Sequence, residues 1–264
     1  MKNVMFETID IEIKDCIATL WMNRPAIHNA FNPTLILELT DALHRVAMDA
    51  NVRIVVLAGR GKNFSAGADL EWMQAVGKKP MDENIQDARQ LAEMLRTLAE
   101  LPKPTVARVS GAALGGGMGL ASACDICVAS DDAIFATSEV RLGLIPSAIS
   151  PYVIRAIGER QAYRYFQTGE RVTAPKAAAL GLVHEVVPTA QLDTAVALIV
   201  EALLKGGPAA QTAAKSLIQA VGKTVMSWLV EDTVLRIANL RTTPEAQEGI
   251  AAFLSKRPPN WAGE

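Results

Sequence analysis

Residues 104–130 read "PTVARVSGAALGGGMGLASACDICVAS": an apolar run, a knot of glycines, a small-residue segment and a second apolar run. Gly115, Gly116, Gly117 and Gly119 fill four of five positions, and only Met118 among them carries a side chain. Taken alone, the knot is a tight turn joining strand "TVARVSG" to helix "MGLASA", with glycines allowing unusual backbone angles and close packing. Nucleotide fingerprints do not fit. The spacing is not G-x-G-x-x-G, and "GRGKNF" around Gly61 lacks the leading Gly and the Ser or Thr of a P-loop. Glycines at a helix start have a second use. Their unpaired N–H groups lie at the positive end of the helix dipole and can hold an oxygen that is becoming negative.

Strand and helix patterns alternate outward from this segment. "FETIDIEIK" and "CIATLWM" alternate with period two about a break at Lys14 and Asp15, the pattern of a hairpin. Asn32 can cap and Pro33 can open a helix that places Leu35, Leu39, Leu43, Val46 and Ala47 on one face and ends near Asn51. "RIVVLAG", "DICVAS" and "GLVHEVV" are short apolar runs suited to strands buried on both sides. Their uneven spacing disfavours a solenoid and favours α/β layers around one core. Beyond about residue 188 the pattern is helical, with a break at "KGGP" and a helix start at Thr243-Pro244. The expected division is an α/β core over 1–200 and a helical region over 201–264.

Composition narrows the function. A 264-residue chain, half hydrophobic, can bury a substantial core. A net charge of -2 with mixed signs offers no broad basic surface, so nucleic acid is not an expected partner. Cys16, Cys124 and Cys127 are too few for a disulfide scaffold and suit a reducing compartment, so a cytoplasmic location is expected. Charges interrupt the N-terminal apolar residues, unlike a secretory signal, and no run of eighteen apolar residues suggests a membrane span. The "CDIC" segment reads as packed thiols, because no second ligand pair accompanies it. His28, His44 and His184 are scattered without metal-ligand spacing, so no metal is expected.

A second small-residue loop, "NFSAGADLEWM" at 63–73, follows the apolar run "RIVVLAGRG". With the 104–130 segment, "WMNRPAIHNAFN", "TSEVRLGLIP" and the closing "EGIAAFLSKRPPNW", the chain resembles the enoyl-CoA hydratase and isomerase family, the crotonase superfamily. The resemblance implies a crotonase-like α/β spiral of β-β-α turns, a C-terminal helical region for trimer contacts, and a homotrimer or a hexamer of two trimers. It also implies an acyl-CoA thioester substrate, with coenzyme A part of that substrate and no separate cofactor. Two backbone N–H groups, from Ala68 and Gly116, would grip the thioester oxygen as it becomes an enolate.

The resemblance further implies a catalytic Glu139, raised in pKa by apolar neighbours. Read without the family, Glu139 is an exposed residue at a strand end. Family hydratases commonly carry a second glutamate, but its position here is Gly119. Glu139 would then either hydrate the substrate alone or shuttle a proton between two carbons, as single-glutamate isomerases do. The segment 138–171 looks like bacterial 3-methylglutaconyl-CoA hydratases and the related isohexenylglutaconyl-CoA hydratases, which favours hydration of a branched 2-enoyl-CoA. Arg141 would share a face with Glu139 if the segment is extended, and is the nearest cation for a substrate carboxylate. A surface position or an internal ion pair is its commoner use. Ala66 and Leu70 would meet coenzyme A through their backbone, and Lys256 matches a C-terminal position that in relatives approaches its phosphates, sometimes from a neighbouring subunit. Asp69 follows the first donor, where structural hydrogen bonding is as reasonable as substrate binding. A thioester-binding relic or an RNA-binding relative is the non-enzymatic alternative.

Overall fold

The computed structural model describes residues 6–221, 227–257 and 259. Residues 1–5, the start of the second C-terminal helical stretch at 222–226, and Pro258, Asn260 and Trp261 of the closing motif lie outside the described residues.

Strands β1 (Ile9–Lys14) and β2 (Ile17–Met22) form the expected antiparallel hairpin. Its turn is Asp15-Cys16, one residue later than the expected break, with φ of 51° and 65°. That pair of left-handed conformations matches the right-handed twist of the flanking strands. Helix α1 (Pro33–Met48) begins where expected, with Asn32 Oδ1 accepting the Leu35 N–H at 2.9 Å. It ends at Met48, short of the expected Asn51. There Asp49 turns extended, and Lys103 Nζ gathers the carbonyls of Val46 and Asp49 at 2.6 and 2.7 Å.

The remaining strands are β3 (Ile54–Gly59), β4 (Thr105–Val109), β5 (Ala112–Leu114), β6 (Ile126–Ser130), β7 (Ile134–Ala136), β8 (Val172–Thr173) and β9 (Glu185–Val187). The other helices are α2 (Leu70–Val76), α3 (Met81–Ala99), α4 (Gly116–Ala123), α5 (Ser150–Ile157), α6 (Glu159–Thr168), α7 (Ala174–Ala179), α8 (Leu192–Leu204), α9 (Pro208–Val221), α10 (Ser227–Arg241) and α11 (Pro244–Leu254).

A six-stranded sheet runs β1-β2-β3-β4-β6-β9, parallel except for the hairpin. Every residue of β3 is buried because both faces are covered. Leu20, Leu57 and Ala107 face the main core with α1, whereas Ile54, Val56, Val106 and Val128 meet Leu192, Ala195, Val196 and Val200 of α8. The expected boundary near residue 200 therefore falls inside α8, and the "KGGP" break separates α8 from α9.

A second layer explains the spiral. Ser65 bridges Ala113, Ala68 bridges Phe31, β5 pairs with β7 in parallel and β7 with β8. After β2, β3, β4 and β6 the chain thus enters this layer before its next helix, giving repeated β-β-α turns in an α/β crotonase fold. Helices α10 and α11 pack Val234, Ile237, Ala246 and Ile250 against Met73, Ala88 and Leu144, which covers the end of the second layer.

Candidate active site

The second layer brings the two small-residue loops together. Ser65 N donates to Ala112 O and Leu114 N donates to Ser65 O, each at 2.9 Å. From that Ser65-Ala113 register, three further residues along each strand lead to Ala68 and Gly116. The Ala68 bridge uses its neighbours' atoms: Phe31 N donates to Gly67 O at 2.7 Å, and Asp69 N to Phe31 O at 2.8 Å. The parallel ladder pattern turns the Ala68 N–H to the opposite side. Gly116 is the first residue of α4, so its N–H has no intrahelical acceptor. Among the described residues neither amide has a hydrogen-bond partner, and both residues line one cavity.

The bare backbone is required here. Gly115 lies at φ 48°, and a Cβ on it would stand 3.1 Å from Glu139 Oε1. A Cβ on Gly116 would stand 2.4 Å from Cε2 of Phe31, which lies inside van der Waals contact. The loop before Ala68 is held by Ser65, whose Oγ donates to Asn29 O at 2.8 Å and accepts the Gly67 N–H at 3.2 Å. Buried Asn29 donates through Nδ2 to Arg60 O and Asn63 O and accepts the Arg24 N–H. Asn29 and Ser65 are scaffold residues that the motif reading passed over. Both stand inside quoted motifs, as small polar residues among apolar ones.

Glu139 opens a 3-10 turn over Glu139–Leu142 directly after β7. This differs from the extended segment expected there, so the period-two argument placing Arg141 on the same face does not hold. The turn closes through Leu144 N to Glu139 O at 3.0 Å, with Gly143 in a left-handed conformation. Nor is the carboxyl an exposed strand-end group. Its Oε2 is sealed from solvent and unpartnered among the described residues. Burial pushes the group from its ordinary 4.5 up to about 7, offset only in part by a backbone hydrogen bond. A carboxyl with that value exchanges protons near neutral pH in either direction.

The position of the family's second glutamate is closed. A Cβ on Gly119 would stand 2.2 Å from Cγ2 of Ile149, the side chain of the turn leading into α5 that occupies this space. Ile149 lines the cavity instead. Among the lining residues Glu139 is the one carboxylate.

The cavity measures about 500 Å³ and is mostly apolar, with Phe31, Trp72, Met73, Leu91, Leu144 and Ile149 on its walls. Ala66, Ala68, Leu70, Gly116, Glu139 and Arg141 all line it. The Ala66 N–H is already given to His28 O at 2.9 Å. Asp69 and Lys256 do not line it. The Asp69 carboxylate caps α2 through the Glu71 and Trp72 N–H groups and meets Arg24 at 3.2 Å. Lys256 is exposed beyond α11, at φ 53°. Arg171 and Arg241 line the cavity and were not anticipated, since neither stands in a glycine loop or near Glu139 in sequence.

The Cys124 and Cys127 thiols are buried, and burial drives Cys124 well up and Cys127 to about 12, whereas Cys16 is exposed. His184 accepts the Cys127 N–H at its Nδ1, at 3.1 Å. Among the described residues no group of three or more His, Cys, Asp or Glu has metal-site geometry, and no helix is long and apolar enough to cross a membrane.

The model of the enoyl-CoA hydratase/isomerase family matches residues 12–264. The chain belongs to this family. Its relatives include the 2,3-dehydroadipyl-CoA hydratase of Escherichia coli, 34% identical over 94% of this chain and 95% of that protein. Another is the trans-2-decenoyl-[acyl-carrier-protein] isomerase of Streptococcus mutans, 31% identical over 98% of this chain and 99% of that one. A crystal structure of an enoyl-CoA hydratase from Shewanella pealeana superposes with a TM-score of 0.81 at 39% identity, covering 97% of this chain and 96% of that one. An acyl-CoA thioester substrate is consistent with this family. The family includes both hydratases and isomerases, so the reaction has to be argued from the site.

Proposed function

We propose that this enzyme adds water across the 2,3 double bond of a branched 2-enoyl-CoA, with a 3-methylglutaconyl-type thioester as the substrate class. The observation that carries the reading is one buried carboxyl, held near pH 7, beside two unpartnered amides in an apolar cavity. The thioester oxygen would accept from Ala68 and Gly116, which stabilises the charge that develops there. Ionised Glu139 takes a proton from water, whose oxygen bonds to C3. The C2–C3 π electrons shift toward the thioester oxygen, and protonated Glu139 then delivers that proton to C2. Water is consumed whole and the carboxylate is regenerated. This is proton transfer and calls for no redox or metal group.

Branching at C3 helps that carbon bear positive character as water attacks. A carboxylate on the acyl chain meets a positive cavity, where Arg141 stands at the exposed rim. Ala66 and Leu70 offer backbone to the coenzyme A portion. A trimer or hexamer is the proposed assembly, supported by Leu198, Leu217, Ile218 and Leu235, exposed on α8, α9 and α10. Sedimentation equilibrium tests it, and a monomeric mass rejects it.

Ile149 in the place of a second glutamate favours a second reading, in which Glu139 moves a proton from C2 to C4 of a 3-enoyl-CoA and water stays out. Turnover in ¹⁸O-labelled water decides between them. Hydration puts the label on C3 of the product; isomerisation gives an unlabelled 2-enoyl ester.

A further inference from the structure

Arg241, at the C-terminal end of α10, is 5% exposed and lines the cavity. Its Nη1 meets Asp87 of α3 at 2.8 Å, and Asp87 also accepts from Trp72 Nε1 at 3.0 Å. The guanidinium lies 5.6 Å from the Trp72 ring centroid. These contacts tie α2, α3 and α10 together, yet they use one corner of the cation only. Nε is sealed and has no acceptor among the described residues. Nη2 has none either, and it is not sealed. An arginine with a purely structural duty would spend its two-pronged Nε/Nη2 edge on the carboxylate, because buried donors without acceptors are costly. Here that edge is left over, on a residue that lines a mostly apolar cavity.

Two more cations share the cavity. Arg141 and Arg171 join Arg241 on the lining, and neither has an ion-pair partner among the described residues. Nearby Glu170 is engaged by Arg164. Glu139 is the sole lining carboxyl. The two exposed arginines stand in solvent, where a charge contact is weak; the buried one is shielded, where it is strong.

We infer that Arg241 is a specificity-determining residue: its Nη2, the unpartnered guanidinium nitrogen that is not sealed, receives a carboxylate at the far end of the acyl chain, which makes carboxyl-terminated enoyl-CoA esters the preferred substrates. The inference rests on the hydratase reading and adds the residue that selects the acyl end. A carboxylate oxygen on Nη2 makes a charge-assisted hydrogen bond in a place shielded from water. Asp87 holds the far corner and fixes the plane of the fork.

The test compares esters of equal length ending in carboxylate or methyl: glutaconyl-CoA with pent-2-enoyl-CoA, and oct-2-enedioyl-CoA with oct-2-enoyl-CoA. The ratio of kcat/KM within each pair is the readout. Because Arg241→Gln alone strands a buried Asp87, the variant of choice is Arg241→Gln with Asp87→Asn, which retains an acceptor for Trp72 Nε1. The wild type is expected to favour the carboxylated member of at least one pair by about 10- to 100-fold, and the double variant to bring that ratio to about 1. A wild-type ratio near 1, or a preference that survives in the double variant, overturns the inference. So does a preference lost in Arg141→Gln or Arg171→Gln but kept in the double variant. If both members of a pair weaken equally in the double variant, Arg241 serves the coenzyme A phosphates and the inference fails. Equilibrium binding of the saturated esters glutaryl-CoA and pentanoyl-CoA, suberyl-CoA and octanoyl-CoA reads the same ratio without turnover. Absence of hydration with every ester would sink the hydratase reading, while this binding ratio still decides the role of Arg241.

Discussion

Replacing Glu139 by Gln should make the protein more stable at alkaline pH while stopping its chemistry. Burial lifts the carboxyl from 4.5 to about 7. Below pH 4.5 the acid is protonated in folded and unfolded chains alike, and no penalty arises. Between pH 4.5 and 7 the unfolded chain releases its proton while the folded one retains it, so wild-type stability falls as pH rises. Above 7 both forms are ionised and the loss levels off. At about 1.4 kcal/mol for each pH unit between the two values, the loss reaches about 3 kcal/mol. For a chain of 264 residues that corresponds to roughly 6 °C in Tm. The glutamine amide of the variant cannot ionise, so the stability difference, variant minus wild type, should climb by about 3 kcal/mol from pH 4.5 to 7.5 and stay flat beyond. Urea unfolding of both proteins at half-unit steps from pH 4 to 9 measures it. A difference that stays constant across that window would refute the claim that the carboxyl is buried without a partner.

Three more outcomes follow from the site. The kcat/KM for hydration should rise with pH and level off above about pH 7, because ionised Glu139 is the base; a flat profile between pH 5 and 8.5 removes it from that role. Ala68→Pro deletes an N–H that has no partner among the described residues, and kcat should fall by about 10²- to 10³-fold; a loss under threefold, with folding intact by circular dichroism, argues against that donor. Gly119→Ala places a Cβ 2.2 Å from Cγ2 of Ile149, which should cost about 1–3 kcal/mol in chemical denaturation. Adding Ile149→Ala should relieve the overpacking, so that the double variant is more stable than the sum of the two single changes predicts; strict additivity would show that the two positions do not collide.

The layers were legible in the chain where local chemistry decides them. Asn32-Pro33 marks the start of α1 and Thr243-Pro244 that of α11, because caps act within one turn. The runs at β3, β4 and β6 were legible because strands covered on both faces must be apolar throughout. The two amide loops were found through motif resemblance, and their meeting depends on the Ser65-Ala113 bridge, a pairing 48 residues apart that no local pattern encodes. The turn at Glu139 hid for a related reason. Its 3-10 conformation is set by closure onto Leu144 and the left-handed Gly143, which a short polar-apolar segment does not announce. Ile149, from the turn before α5, and Arg241, from the end of α10, reach the cavity through packing that no local pattern encodes. Asp69 and Lys256, nominated by family position, stand off the cavity lining of the single chain, one as the cap of α2 and the other at the surface.

The central claim is that two backbone amides reach one thioester oxygen, and the carbonyl itself can report on it. Isotope-edited infrared difference spectra of the wild type with hexanoyl-CoA labelled at the thioester carbon should show the bound C=O stretch at lower frequency than in water, with part of the displacement lost in Ala68→Pro. A bound stretch at the solution frequency would mean that no such grip exists.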